Sequence, residues 1–209
     1  TVSVDTTDDD VAGFTVDEFD GSTEVTEAGS TDTFTVVLDA QPTSDVVITV
    51  TPNDISEVST SGTLTFTPLN WDTPQTVTVT GVDEDIVDGT IISTITLAVV
   101  DATSNDNFDA VADQTVSVST TDDDVAGFTV DELDGSTEVD ESGTTDTFTV
   151  VLDAQPTSNV VITLSSNDGS EISIPSSLTF TSANWDTPQT VTVTGVDDSI
   201  IDGTITSTI

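Results

Sequence analysis

Three consecutive aspartates occur twice, as Asp8-Asp9-Asp10 and as Asp122-Asp123-Asp124, each inside the run TVSV-x-TTDDDVAGF. Adjacent carboxylates repel, and no side chain here can offset them. The 209 residues include 40 Asp and Glu and no Lys, Arg or His. Hard divalent cations prefer such oxygen clusters; calcium takes about 6–8 oxygens from carboxylates, carbonyls and water. Three further acidic stretches each occur twice. GVDEDIVDG (81–89) carries Asp83, Glu84 and Asp88, and GVDDSIIDG (195–203) carries Asp197, Asp198 and Asp202. The turn VTEAG (25–29) carries Glu27, and VDESG (139–143) carries Glu141. NDISEV (53–58) carries Glu57, and NDGSEI (167–172) carries Glu171. Each alone reads as a solvated turn or loop. Together, on a sandwich whose alternate loops meet at one pole, they are expected to converge with the terminal triplet.

The missing residue types exclude much other chemistry. Without Cys there is no disulfide, thiolate nucleophile or zinc–sulfur site. Without His there is no imidazole base and no Ser-His-Asp triad. Without any cation, contact with nucleic-acid phosphates is excluded as a function, and direct contact with anionic membranes is disfavoured. No apolar run approaches the ~20 residues of a spanning helix. A glycosidase needs only two carboxylates, but also an aromatic-rich cleft that nothing here suggests, so no enzyme is expected. The net charge of −40 opposes a compact state by self-repulsion. Solvation, high salt or bound cations must relieve it.

The positioning elements repeat. Offset by 114 residues without gaps, residues 1–95 and 115–209 agree at 74 of 95 positions. So long a period suits a whole domain rather than a solenoid repeat. The expected organisation is the last strand and Asp triplet of a preceding repeat (1–10), a complete repeat (11–124), and a second repeat lacking its last strand (125–209). VAGF follows the triplet at once, so the joint between repeats is short.

Within a repeat, apolar residues alternate with Thr. TFTVVL (33–38) sets Phe34, Val36 and Leu38 on one face, and VVITV (46–50) sets Val46, Ile48 and Val50. LTFT (64–67), QTVTVTGV (75–82), IISTITLAVV (91–100) and TVSV (115–118) follow the same rule. This is the period-2 pattern of half-buried antiparallel strands. Asp20-Gly21, Gln41-Pro42, Asn53-Asp54 and Asp88-Gly89 mark turns between them. The expectation is all-β: tandem immunoglobulin-like antiparallel β-sandwiches with about seven strands per unit.

The run from the V-x-E-x-G turn, through LTFTP-NWDTPQTVTVTGVDED, to the terminal DDD-x-AGF resembles the Calx-β domain. That module occurs as calcium-sensing domains of sodium–calcium exchangers and as long tandem arrays in bacterial surface proteins. The resemblance covers residues 11–124 and most of 125–209. It implies calcium ligands at Glu27, Glu57, Asp83, Glu84, Asp88, Asp122, Asp123 and Asp124, with the Ile86 carbonyl as a backbone oxygen. In the next repeat it implies Glu141, Glu171, Asp197, Asp198 and Asp202. Asp8, Asp9 and Asp10 would serve the repeat before. Asp85 becomes Ser199, so that position is not expected to be essential.

Two tempting motifs are set aside. VDEFDGSTEVTE (16–27) matches an EF-hand loop at Glu18, Asp20, Gly21 and Glu27, but its first position is Val16 and no helices flank it. Trp71 and Trp185 in NWDTPQ are expected to pack structurally rather than to bind sugar. The expected function is a calcium-binding structural repeat of a stiff rod at the cell surface or outside the cell, in an adhesin or a filament. Its partners would be neighbouring repeats of the same chain. The alternatives are a filament subunit in which identical chains complement each other's strands, and a calcium-sensing regulatory module.

Overall fold

Alternating β-branched and Thr residues leave the chain little choice but extended strands, because each strand then has one apolar and one polar face. A computed structural model describes residues 1–132, 135–201 and 203–209. The chain divides into two compact units, Thr1–Glu84 with Asp88–Asp123, and Asp85–Val87 with Asp124–Ile209. The division falls one residue before the expected boundary, and a three-residue segment of the 81–89 loop groups with the second unit.

The first unit has nine strands: β1 Phe14–Asp17, β2 Thr23–Thr26, β3 Thr31–Leu38, β4 Val46–Pro52, β5 Val58–Thr60, β6 Leu64–Phe66, β7 Gln75–Gly81, β8 Ile91–Val99 and β9 Gln114–Thr121. They form two sheets, ordered β1-β3-β7-β5 and β2-β9-β8-β4-β6. One apolar cluster holds the inner rows of both sheets, including Phe34, Val36, Ile48, Phe66, Val77, Val79, Ile95, Leu97, Val116 and Val118. The inward residues expected from the alternation are therefore the core, although Ile91 and Val99 remain only partly covered. The architecture is all-β, as the alternation implies.

Two details differ from expectation. The unit has nine strands rather than about seven; β1, β2 and β5 are three or four residues long, too short to show a period. And β2 runs parallel to β9, with Val25 opposite Thr120, while the other pairs are antiparallel. The ladder of β9 therefore has a partner on each side.

The Trp71 segment is structural, as expected. Trp71 packs against the core cluster, and its carbonyl accepts the Leu38 amide at 3.1 Å. The turn before it is closed by Asn70, whose Oδ1 accepts both the Thr67 amide at 2.5 Å and the Thr67 hydroxyl at 2.9 Å. Asn70→Ala removes that acceptor from a half-buried pair and is expected to cost about 1–2 kcal/mol, read as a lower urea midpoint with an unchanged slope. Asn184 and Thr181 repeat the arrangement before Trp185.

The second unit has β10 Phe128–Asp131, β11 Thr145–Leu152, β12 Val160–Thr163, β13 Ile172–Ser173, β14 Ser177–Phe180 and β15 Gln189–Gly195. Its first sheet, β10-β11-β15-β13, has the order of β1-β3-β7-β5, and the same register: Phe148 lies opposite Val191 as Phe34 lies opposite Val77. Among the described residues its other sheet is β12 paired with β14. Residues 137–140 and 204–209 repeat the sequences around β2 and the start of β8 but are not in strands. Residues 1–10 are exposed and also carry no strand, although TVSV forms the heart of β9 at 115–118. The expected strand at 1–4 is thus not formed. The reason is common to these segments. A strand needs a hydrogen-bonding neighbour on its edge, and TVSV has one only where β8 and β2 flank it.

Candidate metal centre

The acids meet because one glycine lets two loops touch. A Cβ on Gly81 would lie 2.0 Å from the Thr26 carbonyl oxygen, so only glycine ends β7 here. Its amide donates to the Ser30 carbonyl at 3.0 Å. The turn Thr26–Gly29 is closed by the Gly29 amide on the Thr26 carbonyl at 3.1 Å, with Gly29 at φ +81°, a region other residues rarely adopt. Glu27 is thereby pinned beside the loop that leaves β7. Its amide donates to the Thr121 carbonyl at 3.1 Å, which sets it beside Asp122 at the end of β9.

Two more links complete the pole. The Val82 amide donates to the Glu57 carbonyl at 2.9 Å. Asp54 Oδ1 accepts the Ser56 amide at 3.1 Å and hydroxyl at 2.5 Å, fixing the turn that presents Glu57. Asp122 Oδ2 accepts the amides of Asp88 and Gly89 at 3.0 and 2.8 Å, which ties the 82–90 loop to the end of β9.

Carboxylate oxygens of Glu27, Glu84 and Asp88 lie within 4.8 Å of one another, and so do oxygens of Glu27 and Asp122. Within each set the spacing suits a cation. Glu27 is at the centre and is 0 % exposed. Neither of its carboxylate oxygens has a hydrogen-bond partner. Glu57 is buried beside the set, with one oxygen likewise unpartnered. A buried carboxylate without a donor costs free energy of several kcal/mol unless it is neutralised, so the donor set fits a cation.

The electrostatics agree. Burial pushes the Glu27 carboxyl up to about 7, helped by the negative charges of Asp122, Glu57, Asp88 and Glu84. Burial raises Glu57 too, with Asp88, Asp54, Glu84 and Asp122 adding to it. Between 4.5 and about 7 the native protein therefore holds a proton at Glu27 that the unfolded chain has lost. Stability falls with rising pH wherever the native state binds more protons. In chelator, Tm is expected to drop between pH 5 and pH 8 at matched ionic strength. A flat or rising Tm would contradict the burial of an ionised Glu27. The depressed groups Asp54, Asp140, Asp146 and Asp168, each held down by hydrogen bonds, lose their contribution only at lower pH and leave this window untouched.

Not every expected ligand joins. Asp83 and Asp123 are exposed and stand outside the close set. The alternation of β9 continues into the triplet, so Asp122 turns in and Asp123 out; in the loop after β7 the phase changes, since Val77, Val79 and Gly81 are buried but Glu84 is half-buried with Asp83 and Asp85 exposed. Ile86 lies in the segment Asp85–Val87 that groups with the second unit, where it forms a parallel bridge with Gln155. Asp8, Asp9 and Asp10 are exposed, with Asp8 Oδ1 accepting the Asp10 amide at 3.2 Å.

The second unit copies the frame. A Cβ on Gly195 would lie 1.9 Å from the Asp140 carbonyl oxygen, and the Glu171 carbonyl accepts the Val196 amide at 2.9 Å. Glu141, Glu171 and Asp198 are half-buried and Asp197 is exposed. Asp202 lies outside the described residues. Among the described residues no close carboxylate set forms in this unit, since no β9 counterpart closes it. Two contributors were not anticipated from sequence: Asp54, which shapes the Glu57 turn, and Gly81, which sets the close approach. Both recur, as Asp168 and Gly195, and that recurrence was the available signal.

No protein-family profile matches the chain, and no curated protein matches it in sequence. Several solved structures are similar in fold. The apo form of the Calx CBD1 domain is 16% identical, with 55% of this chain and 100% of that domain covered and a TM-score of 0.39. CBD12 from CALX1.2 is 15% identical over 89% of this chain and 76% of its own, with a TM-score of 0.38. The E. coli chaperone DraB is 11% identical over 82% and 87%, with a TM-score of 0.40. At these values the similarities carry no argument about the site, which rests on its own geometry: a set of carboxylates gathered around one buried, unpartnered glutamate at a pole of an all-β sandwich.

Proposed function

We propose that the first unit binds calcium through Glu27, Glu84, Asp88 and Asp122, with Glu57 alongside. The carrying observation is Glu27, a fully buried carboxylate whose two oxygens lack any hydrogen-bond donor in a chain that contains no Lys, Arg or His. Calcium suits an all-oxygen donor set better than a thiol- or imidazole-seeking metal. Extracellular calcium modules bind at about 10⁻⁴–10⁻³ M. Such a site fills outside a cell and stays mostly empty in cytosol, so we place the protein at the cell surface or beyond it. Among the described residues no helix is long and apolar enough to cross a membrane.

The role we assign is structural rather than enzymatic: a repeat of a calcium-stiffened rod, in an adhesin extender or an extracellular filament. Near-identical repeats 114 residues apart, joined by a short linker, support length as the selected property. Calorimetric titration of the whole chain with calcium tests the site. Binding in the submillimolar to millimolar range is expected, lost in Glu27→Gln. Absence of binding to the unaltered chain would leave the acids as a solvated coat and end this reading. Small-angle scattering tests the rod: calcium should narrow the spread of distances between the two units, and an unchanged spread would remove stiffening.

A further inference from the structure

Two Asp-Gly steps in the first unit share a local setting. Asp20-Gly21 and Asp88-Gly89 are both exposed. Their glycines are left-handed, at φ +84° and +80°, and neither has an atom within 4 Å of the place a Cβ would occupy. Their partners differ. The Gly21 amide donates to the Glu18 carbonyl at 3.0 Å. The Gly89 amide donates to Asp122 Oδ2 at 2.8 Å, and the Asp88 amide donates to the same oxygen at 3.0 Å. Asp88 also belongs to the carboxylate set of the metal centre, within 4.8 Å of Glu27 and Glu84; Asp20 does not.

Glycine puts no Cβ in the way of its amide nitrogen, so Asp-Gly is the step at which a backbone most readily attacks its own side chain. The Gly89 nitrogen would bond to Asp88 Cγ as one Cγ–O bond breaks. The leaving oxygen takes the amide proton and one from solvent and departs as water, which leaves a succinimide. One water then reopens the ring. Cleavage between nitrogen and Cγ returns aspartate. Cleavage between nitrogen and the Asp88 main-chain carbonyl carbon gives isoaspartate, with the peptide link running through Cγ. Water is the one co-reactant.

We propose that Asp88 is a modification site at which isoaspartate forms when the cation leaves. The gate rests on the calcium reading above; the ring chemistry does not. Ring closure needs two releases: the Asp88 carboxylate must swing away from Glu27 and Glu84, and the Gly89 amide must leave Asp122. A cation held by Asp88 and Asp122 opposes both. Without it, three carboxylates crowd together in a chain with no Lys, Arg or His to offset them, and like charges at that distance repel. Asp88 is the exposed member of the three, so it is the one free to swing out. The product cannot be undone by calcium. Isoaspartate adds a carbon to the main chain and removes one from the side chain, which withdraws the carboxylate from Glu27 and Glu84. A repeat left without calcium would slowly lose the ability to take it up again.

Ageing of the whole chain at neutral pH, in calcium and in chelator at matched ionic strength, tests the proposal. The chain offers trypsin no Lys or Arg, so a glutamate-specific protease supplies the peptides. Isoaspartate is then assigned by enzymatic methylation and by coelution with synthetic peptides. With calcium at about ten times Kd, the open population falls roughly tenfold, and isoaspartate at Asp88 is expected to form about tenfold more slowly than in chelator. Asp20 should convert at one rate in both samples. The chelator-aged chain, returned to calcium, should have lost binding capacity in step with the isoaspartate fraction at Asp88. No isoaspartate at Asp88 in chelator overturns the proposal and leaves the calcium reading intact. Equal rates at Asp88 in both samples, in a chain that calorimetry shows to bind calcium, overturn it as well. A slowing shared by Asp20 would mark a general effect of calcium on ageing and remove the gate. In a chain that calorimetry shows to bind no calcium, the reading above fails and the gate falls with it.

Discussion

Glu27→Gln is expected to stabilise the calcium-free protein and to abolish most of its response to calcium, two effects of opposite sign from one substitution. In chelator at pH 8 the folded protein must either ionise a buried carboxyl or keep it protonated above its unfolded pKa, and both are unfavourable. Glutamine keeps the size and removes the charge. Its amide is no better satisfied than the protonated acid, so the gain reflects the charge alone, roughly 1–2 kcal/mol. In calcium the order reverses. A ligand that binds only the folded state stabilises by about 2.7 kcal/mol at a hundredfold excess over Kd, or about 10 °C in Tm for a unit of this size. Glutamine offers one neutral oxygen in place of a central carboxylate, so most of that rise should vanish. Thermal unfolding of both chains, in calcium and in chelator at matched ionic strength, gives all four values. Lower stability of Glu27→Gln in chelator would mean that Glu27 is held by donors after all. An unchanged calcium response would move the ion elsewhere.

Gly81→Ala is expected to destabilise the first unit by about 3 kcal/mol and to weaken calcium binding with it. The added Cβ would meet the Thr26 carbonyl oxygen at 2.0 Å and its carbon at 2.8 Å. Both are backbone atoms of a hydrogen-bonded turn and cannot rotate aside, so β2 or the end of β7 must shift. Overpacking of this kind costs about 1–3 kcal/mol and at times more. The shift displaces Glu27 from Glu84 and Asp88, which is why affinity should fall as well. Gly62→Ala is the matched control. Gly62 has φ +87° and nothing within 4 Å of the added atom, so it carries only the left-handed strain of about 1–2 kcal/mol and should leave calcium affinity unchanged. Denaturant midpoints and calcium titrations of the two variants separate the effects. Equal loss of stability with affinity intact in both would show that the close approach of Gly81 does not position the site.

The apolar rows of β3, β4, β7 and β8 were legible in the sequence because a two-residue period is a local property: Phe34, Val36 and Leu38 fall on one face whatever lies beyond them. The 114-residue repeat, the absence of any balancing cation and the acid-rich loops were legible for the same reason. The strand status of TVSV was not, because identical residues at 1–4 and 115–118 differ only in whether β2 and β8 stand alongside. Nor was the division of labour among the acids. Asp83 and Glu84 are neighbours of equal charge, yet only Glu84 joins the set, and Glu27 sits in a turn that reads as exposed. Charge and pattern are written in the chain, but burial is set by what other segments bring to the same place. Here that was a carbonyl against Gly81 and the end of β9 against Glu27, contacts between residues 55 and 94 positions apart.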